Sequence, residues 1–467
     1  MESPKIFFAH LREMTERFDP RYVAFRRRTA EFRYPMVRLS ELLSALPEYG
    51  AGEAGIERTN IKQPRYIRIT DISDDGELSP ELGATAETVE AKYFLSDGDL
   101  LFARSGATVG KCYLHEKSRV GYPCFYAGYM IRMRLKPSIL PKYVFAFTQT
   151  SYYREWVASV QRSAGQPNIN AQEYCNLKIP VPPPEVQRQI VAELDAAYAA
   201  KRKADEKATK LLASIDDMVL KELGVAKLSK PDTSLSSRIF TVPARKVANM
   251  TLAPDHYFDA IDFSKAKYPC ERFVERIEID PPFGLEQITK LVPMESVSAE
   301  WCAIESIEDI SPDATQGYST FRGGDVIWAR ITPCMENGKS AVVEAEPSEC
   351  FCGSTEFLVF RPKDDKVNPY YLQSVLHLKR FREVAAHNFT GTSGHQRVTA
   401  DFFKTISIPI PPRSVQDRIA SKASSIRTEA RKLKADATAA LDAAKRKIEK
   451  QIVDGGLSAV ARFPKGC

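Results

Sequence analysis

The stretch PEVQRQIVAELDAAYAAKRKADEKATKLLASIDDMVLKEL (Pro184–Leu223) has a second copy, PRSVQDRIASKASSIRTEARKLKADATAALDAAKRKIEKQIV (Pro412–Val453). Both follow the same doorway, Ile179-Pro180-Val181-Pro182-Pro183 and Ile408-Pro409-Ile410-Pro411-Pro412. Proline is accepted at the start of a helix and excluded from its interior, so each doorway reads as strand, stop, helix. Inside the first copy Ile190, Leu194, Ala197, Lys201, Ala204, Ala208, Leu211, Ile215 and Met218 step by four and three. Ile419, Ala423, Ile426, Ala430, Leu433, Ala437, Ala440 and Ala444 do so in the second. A 4,3 seam held over about four heptads predicts helix-on-helix packing of the coiled-coil type. The anchors are Ile190, Leu194, Leu211, Ile215 and Met218 against Ile419, Ile426 and Leu433. About 40 residues rising 1.5 Å each make a rod of roughly 60 Å. Two separate amphipathic helices, each packed on its own domain, are the plainer alternative.

Working outward, the repeat extends beyond the helices. Ile69-Thr70-Asp71-Ile72-Ser73 is echoed by Ile307-Glu308-Asp309-Ile310-Ser311. Gly98-Asp99-Leu100-Leu101-Phe102-Ala103-Arg104 is echoed by Gly324-Asp325-Val326-Ile327-Trp328-Ala329-Arg330. Gly110-Lys111 pairs with Gly338-Lys339, and Pro141-Lys142-Tyr143-Val144 with Pro369-Tyr370-Tyr371-Leu372. Gly165-Gln166 and His395-Gln396 precede the last strand. The order is identical and the offset is near 229 residues, as in a tandem duplication. On this matching Ser73 lies 25 positions before Gly98, but Ser311 only 13 before Gly324, so the stretches between scaffold segments differ in length.

The fold class that follows is α+β: a mixed, β-rich domain followed by a long helix, occurring twice. The two helices are expected to lie antiparallel, with pseudo-twofold symmetry. The boundaries are 1–183 (with 1–34 an N-terminal extension), helix 184–224, linker 225–242, second domain 243–411, helix 412–453 and tail 454–467. Strands are predicted at 65–69, 100–103, 130–135, 326–329 and 357–360, and one helix per domain at 142–160 and 369–386.

Composition bounds the function classes. Hydrophobic residues make up 43% and charged residues 27% of the 467, as in soluble globular chains. No apolar run reaches membrane-spanning length, and the N-terminal residues lack a signal-peptide core, so a cytoplasmic protein is expected. Nine cysteines at irregular spacings do not suggest a disulfide scaffold. Cys350 and Cys352, with Cys334 and His387, lack the two paired half-sites zinc favours, so no metal is expected. Net charge is +6; residues 184–224 carry −1 and residues 413–453 carry +6. Such a basic run is either a solvated face or a surface near phosphates or an acidic partner.

No catalytic constellation is complete. Ser105–Lys111 resembles a phosphate-cradling loop, but Ser105 replaces the first Gly and Cys112 the magnesium-binding hydroxyl; in the second copy Pro333 stands at the first Gly. Asn368-Pro369-Tyr370-Tyr371 resembles an amino-methyltransferase tetrapeptide, yet it aligns with Leu140–Tyr143 as a helix start. Glu90-Ala91-Lys92 with Asp75 imitates a nuclease metal site with no counterpart in the second half. The remaining reading is binding. Arg104, Ser105, Thr108 and Lys111, and Arg330, Thr332 and Lys339, stand in glycine-containing loops suited to nucleic acid. Gln166, Asn168 and Asn170, and Ser393, His395, Gln396 and Arg397, form polar loops. There Asn or Gln can pair with adenine, and Arg with guanine.

Two modules with an RYIRITDIS-like start, a GDLLFARSGATVGK-like centre and a GQPNIN…IPVPPP…Q end before a long helix resemble the specificity subunit of a Type I restriction-modification enzyme. The resemblance covers about residues 35–453. The family usually has Glu-Gln after the prolines; here stand Val186-Gln187 and Val415-Gln416. The resemblance implies that each module is a target-recognition domain reading half of a split double-stranded DNA sequence, with the helices as a ruler between them. It implies two modification subunits that methylate adenine with S-adenosylmethionine, and a motor-nuclease restriction subunit using ATP and magnesium. It also implies that this chain binds no cofactor and does no chemistry. The rivals are a single-chain DNA-modifying enzyme and a coiled-coil structural protein.

Overall fold

The computed structural model describes residues 31–79, 82–161, 167–225, 263–282, 288–392 and 396–454, with isolated positions at 22, 23, 25, 234, 236, 239 and 241. The predicted linker, tail and N-terminal extension lie mostly outside these residues. The chain divides into two compact units, Met1–Arg202 with Asp436–Cys467, and Lys203–Ala435. The division cuts both long helices, Pro184–Leu223 and Arg413–Ile452. Each unit therefore holds one module together with one half of each helix.

In the first unit a four-stranded antiparallel sheet has the order Glu48–Tyr49, Met130–Met133, Leu100–Ala103, Cys112–Leu114. Leu100–Ala103 is buried on both faces, which its unbroken apolar run requires. A second sheet has the order Ile56–Glu57, Ala84–Thr85, Arg65–Ile67, Cys124–Tyr126, and its last pair is parallel. The second unit repeats the first sheet as Ile277–Ile279, Phe357–Pro362, Val326–Ala329, Ser340–Val342. Its other sheet is Glu308–Asp309, Lys290–Val292, Cys350–Gly353, Ser319–Arg322, again with one parallel pair, Lys290–Val292 on Cys350–Gly353. Trp328 is fully buried edge-on to Phe403 at 5.3 Å. A ring removed from water there contributes roughly 3 kcal/mol.

This topology corrects the sequence matching at one place. Arg65–Ile67 and its following turn Ile69–Asp71 correspond to Lys290–Val292 and the turn Met294–Ser296. Ile307–Ser311 instead contains the edge strand Glu308–Asp309, the counterpart of Ala84–Thr85. With Ser298 rather than Ser311 opposite Ser73, the distance to the Gly-Asp pair, Gly324-Asp325 against Gly98-Asp99, is 26 residues against 25. The apparent difference in insert length came from a coincidence of letters.

The single helix predicted per module is two. Pro141–Thr148 and Ser151–Val160 are separated because the Thr150 side chain accepts the N–H of Tyr153 and starts a new helix. Pro369–His377 and Lys379–His387 are separated by an extended Leu378. The proline doorways work as read. Lys178–Pro180 pairs with Met36–Arg38, and Ser407–Pro409 with Cys270–Arg272, before each long helix begins. In each module a tyrosine in the first turn of the helix that starts at Pro141 or Pro369 ties the doorway down. Tyr143 donates to Pro180 O at 2.6 Å and Tyr371 to Pro409 O at 2.7 Å.

In the first unit the helices run antiparallel. Glu193 accepts from Lys447 at 2.9 Å and from Gln451 at 3.2 Å, while Tyr198, further along, meets Lys445. In the second unit Glu222, near the end of the first helix, accepts from Arg418 and Lys422 near the start of the second. Ile190, Leu194, Ile215 and Ile419 are buried, and Leu211, Met218, Ile426 and Leu433 partly so. The buried stripe departs from a strict heptad at Tyr198, Val219 and Leu441, which are buried beside the predicted Ala197, Met218 and Ala440; Ala440 is exposed. A straight helix repeats every 3.6 residues, so a 3.5-residue seam drifts off the buried face by about one position over several turns.

Candidate nucleic-acid interface

In each module the central strand is followed at once by an arginine at a junction of three chain segments. Arg104 N–H donates to Tyr129 O at 3.0 Å, and Arg104 O accepts from Ile169 N at 2.8 Å. Arg330 N–H donates to Glu356 O at 2.9 Å, and Arg330 O accepts from Val398 N at 2.9 Å. The next residue bridges to the polar loop, Ser105 to Asn168 and Ile331 to Arg397. Gly106 N–H then donates to Pro167 O, and Thr332 N–H to Gln396 O, each at 3.0 Å. The glycine-containing loop and the distant polar loop, read separately in sequence, thus lie together in both modules. Pro167 rather than Gln166 faces the position of Gln396, a shift of one from the sequence matching.

The individual side chains divide. Arg104 lies over the Tyr49 ring at 4.8 Å, and its Nε is buried with no partner among the described residues. Tyr129 beside it is 64% exposed and Tyr49 43%. Ser105 is buried, and the buried Thr108 hydroxyl has no partner among the described residues. Asn168 supplies backbone to the bridge. Asn170 caps Ala171–Cys175, accepting from Glu173 N at 2.9 Å while Glu173 reaches back to Asn170 N. Lys111 does not project outward: its Nζ binds Ile72 O at 3.1 Å and Asp74 at 2.8 Å. Lys339 does the same to Met294 O at 2.8 Å. A lysine folded onto a carbonyl of the neighbouring turn braces the loop.

In the second module Thr332 donates its hydroxyl to Glu336, and the Gln396 carbonyl takes the Thr332 N–H. Arg397 is gripped by Glu356, and that carboxylate raises the Arg397 guanidinium pKa. Arg330 Nε lies 3.7 Å from the same carboxylate. Gln166, Ser393 and His395 lie outside the described residues. The sequence reading missed Tyr49, Tyr129 and Glu356. A signal existed for two of them: Tyr129 and Glu356 each immediately precede the predicted strands at 130 and 357, so they occupy the same place in the repeat.

The basic second helix has an internal explanation. Within the units Arg418 and Lys422 pair with Glu222, Arg431 with Glu305, Lys434 with Glu300, Lys445 with Asp75 and Lys447 with Glu193. Trp301 lies against Arg431 and Lys434 at 5.8 and 5.6 Å. Much of the positive excess thus seats the helix on the first long helix and on the modules.

The enzyme look-alikes are also structurally occupied. Asn368 caps Pro369–His377 through its carbonyl oxygen, and its amide donates to Asp417 at 2.7 Å. Asp75 binds Lys445 and Lys92 binds Glu90. Among the described residues no three His, Cys, Asp or Glu side chains gather as a metal site, and no helix is long and apolar enough to cross a membrane.

A duplicated module whose two loops meet at one arginine gives the chain two similar polar junctions. The family model of the Type I restriction modification DNA specificity domain matches residues 60–209 and 296–438. The chain belongs to this family and carries the domain twice. It is 31% identical over 176 residues to the Type I restriction enzyme EcoAI specificity subunit of Escherichia coli, covering 37% of this chain and 30% of that one. It is 29% identical over 166 residues to the EcoEI specificity subunit of the same organism, covering 35% and 28%. The matched stretches span less than a third of either relative. A solved chain from work on the assembly and conformational transition of a type I R-M system aligns over 90% of this chain and 98% of its own, at 17% identity and a TM-score of 0.46.

Proposed function

We propose that this chain is the specificity subunit of a Type I restriction-modification complex in the cytoplasm, and that it selects a bipartite double-stranded DNA target. Each module reads one half-site, and the helix pair sets the distance between them. Two modification subunits dock on the chain and methylate adenine in both halves with S-adenosylmethionine. Restriction subunits that use ATP and magnesium join for cleavage. The chain itself supplies recognition and no chemistry.

The observation that carries this reading is the repeated junction. Its backbone hydrogen bonds are the same in both modules, while the side chains upon it differ, with Tyr49 and Tyr129 around Arg104 but Glu356 around Arg330 and Arg397. One scaffold presenting two chemistries suits a split, asymmetric target. The residues proposed for DNA contact are Arg104, Asn168, Arg330, Thr332, Gln396 and Arg397, with Gln166, Ser393 and His395 next to them in sequence; Ser105 and the Thr108 hydroxyl are buried and lie behind this surface. Lys111, Lys339 and Asn170 hold the loops in shape.

Mapping methylated bases in host DNA, with and without this gene beside its modification subunit, tests the proposal. A split motif with methyladenine in both halves, lost on deletion, is the expected outcome. A continuous motif, or methylation that survives deletion, would overturn it.

A further inference from the structure

Glu356 stands immediately before the strand Phe357–Pro362, at the junction where Arg330 and Arg397 meet. Its carboxylate accepts from Arg397 Nε at 2.9 and 2.8 Å and from Nη2 at 2.7 Å, a two-nitrogen grip on one edge of the guanidinium. Arg330 Nε lies 3.7 Å from Oε2. The backbone fixes all three residues to one another through Arg330 N–H on Glu356 O and the Ile331–Arg397 bridge. The side chains keep 20%, 31% and 33% of their surface for Glu356, Arg330 and Arg397, so the group sits at the surface.

A carboxylate is an unexpected neighbour for DNA, because phosphates and base acceptors repel it. Here it carries two guanidinium groups, so the cluster keeps a positive charge. Its value is orientation. A free arginine loses rotamer freedom when a base fixes it, and a planar guanidinium held beforehand loses less per hydrogen bond formed. The base whose major-groove edge offers two acceptors to a guanidinium is guanine, through O6 and N7. The first module lacks the carboxylate: Tyr129 takes the equivalent place and Arg104 lies over Tyr49.

We infer that Glu356 is a positioning residue that sets Arg330 and Arg397 for readout of guanine in the half-site of the second module. The inference rests on the reading of the chain as a DNA-specificity subunit. It makes the two modules chemically different readers, one guided by a carboxylate and one by aromatic rings.

The test uses the full chain expressed with its modification subunit, with the methylated motif mapped for the wild type, E356Q, E356D, R330K and R397K. The lysine variants keep the charge and lose the fork. The wild type separates the two claims: no split motif at all would sink the functional reading, whereas a split motif leaves the guanine assignment to the variants. The expected result is a guanine in one half-site at which E356Q, R330K and R397K accept other bases, with discrimination falling roughly tenfold. E356D should retain more discrimination than E356Q, and the other half-site should be unchanged throughout. Melting of E356Q close to the wild type confirms an intact fold; if E356Q does not fold, the lysine variants carry the test. A motif unchanged in the variants would overturn the inference, as would affinity lost equally across all sequences. Relaxation at a cytosine in E356Q alone would also overturn it, by making Glu356 itself the reader.

Discussion

Gln416 Oε1 accepts the backbone N–H of Asn368 at 2.8 Å, and Gln187 does the same for Leu140 at 3.0 Å. Both glutamines are almost wholly buried just inside a long helix. Gln416 Nε2 also donates to Lys366 O at 2.7 Å and Pro411 O at 2.8 Å, and Gln187 Nε2 to Pro182 O at 2.9 Å. One amide thus joins the doorway, the long helix and the start of the helix Pro369–His377 or Pro141–Thr148. Q416A should cost about 2–4 kcal/mol, because it strands two carbonyls and an amide in the interior. Urea denaturation of the full chain checks this; Q187A, with fewer bonds, should lose less.

Lys445 meets Asp75 at 2.6 Å, with its ammonium 5.7 Å from the Tyr198 ring, and Tyr198 donates to Asp75 O at 2.6 Å. Lys445 is only 9% exposed. Removing one member of a mostly buried pair leaves the other charge without its partner. K445M and D75N should each destabilise the first unit by roughly 2 kcal/mol, and the double variant by less than their sum. A double-mutant cycle read by denaturation decides it; simple additivity would show that the pair contributes nothing beyond its separate contacts.

Sequence and structure agree most closely where periodicity and proline speak together. The long helices, the doorways and the central strands Leu100–Ala103 and Val326–Ala329 were legible because an apolar repeat and a hard stop leave few alternatives. The start of the second module was not. KLVPMESVS shares its pattern but hardly its letters with RYIRITDIS, and only the parallel pairing onto Cys350–Gly353 reveals the match. The site was half legible. Sequence indicated the two loops of each module, because small and polar residues mark them. It could not say that Lys111 and Lys339 turn inward, since a lysine reaching a carbonyl and one reaching a phosphate have the same neighbours in sequence. The place of Glu356 before its strand was legible, but its pairing was not, because Arg330 and Arg397 are distant along the chain.

Gly110 and Gly338 end the Gly-Lys turns at φ values of +89° and +87°. A Cβ on Gly110 would lie 2.7 Å from both methyls of Val157, and one on Gly338 2.7 Å from the His377 ring. Both the left-handed backbone and the missing space require glycine. G110A and G338A should each lose at least about 2 kcal/mol. Gly121, with nothing within 4 Å of a built Cβ, is the control, and G121A should change stability by less than about 0.5 kcal/mol. Equal melting of G110A and G121A would show that the turn yields to the side chain.

The His377 ring is enclosed by Gly338, by Cys302 with Sγ 3.4 Å from Nδ1, and by the guanidinium groups of Arg382 and Arg427, although the residue as a whole keeps some exposed surface. Burial pushes its pKa down from 6.5 to about 3, and the two arginines act in the same direction. The folded protein therefore holds His377 neutral where an unfolded chain would protonate it. With the folded pKa below the unfolded one, acid favours unfolding. No penalty is felt above pH 6.5; stability then falls as pH drops toward 3, by up to about 1.4 kcal/mol per pH unit from this group. H377Q removes the titration while keeping a polar side chain of similar reach. Its melting temperature should start below the wild type at pH 7.5 and decline less steeply between pH 6.5 and 4.5. Parallel acid limbs for the two proteins would show that His377 becomes protonated in the folded state, with Arg382 and Arg427 moving aside to admit the charge.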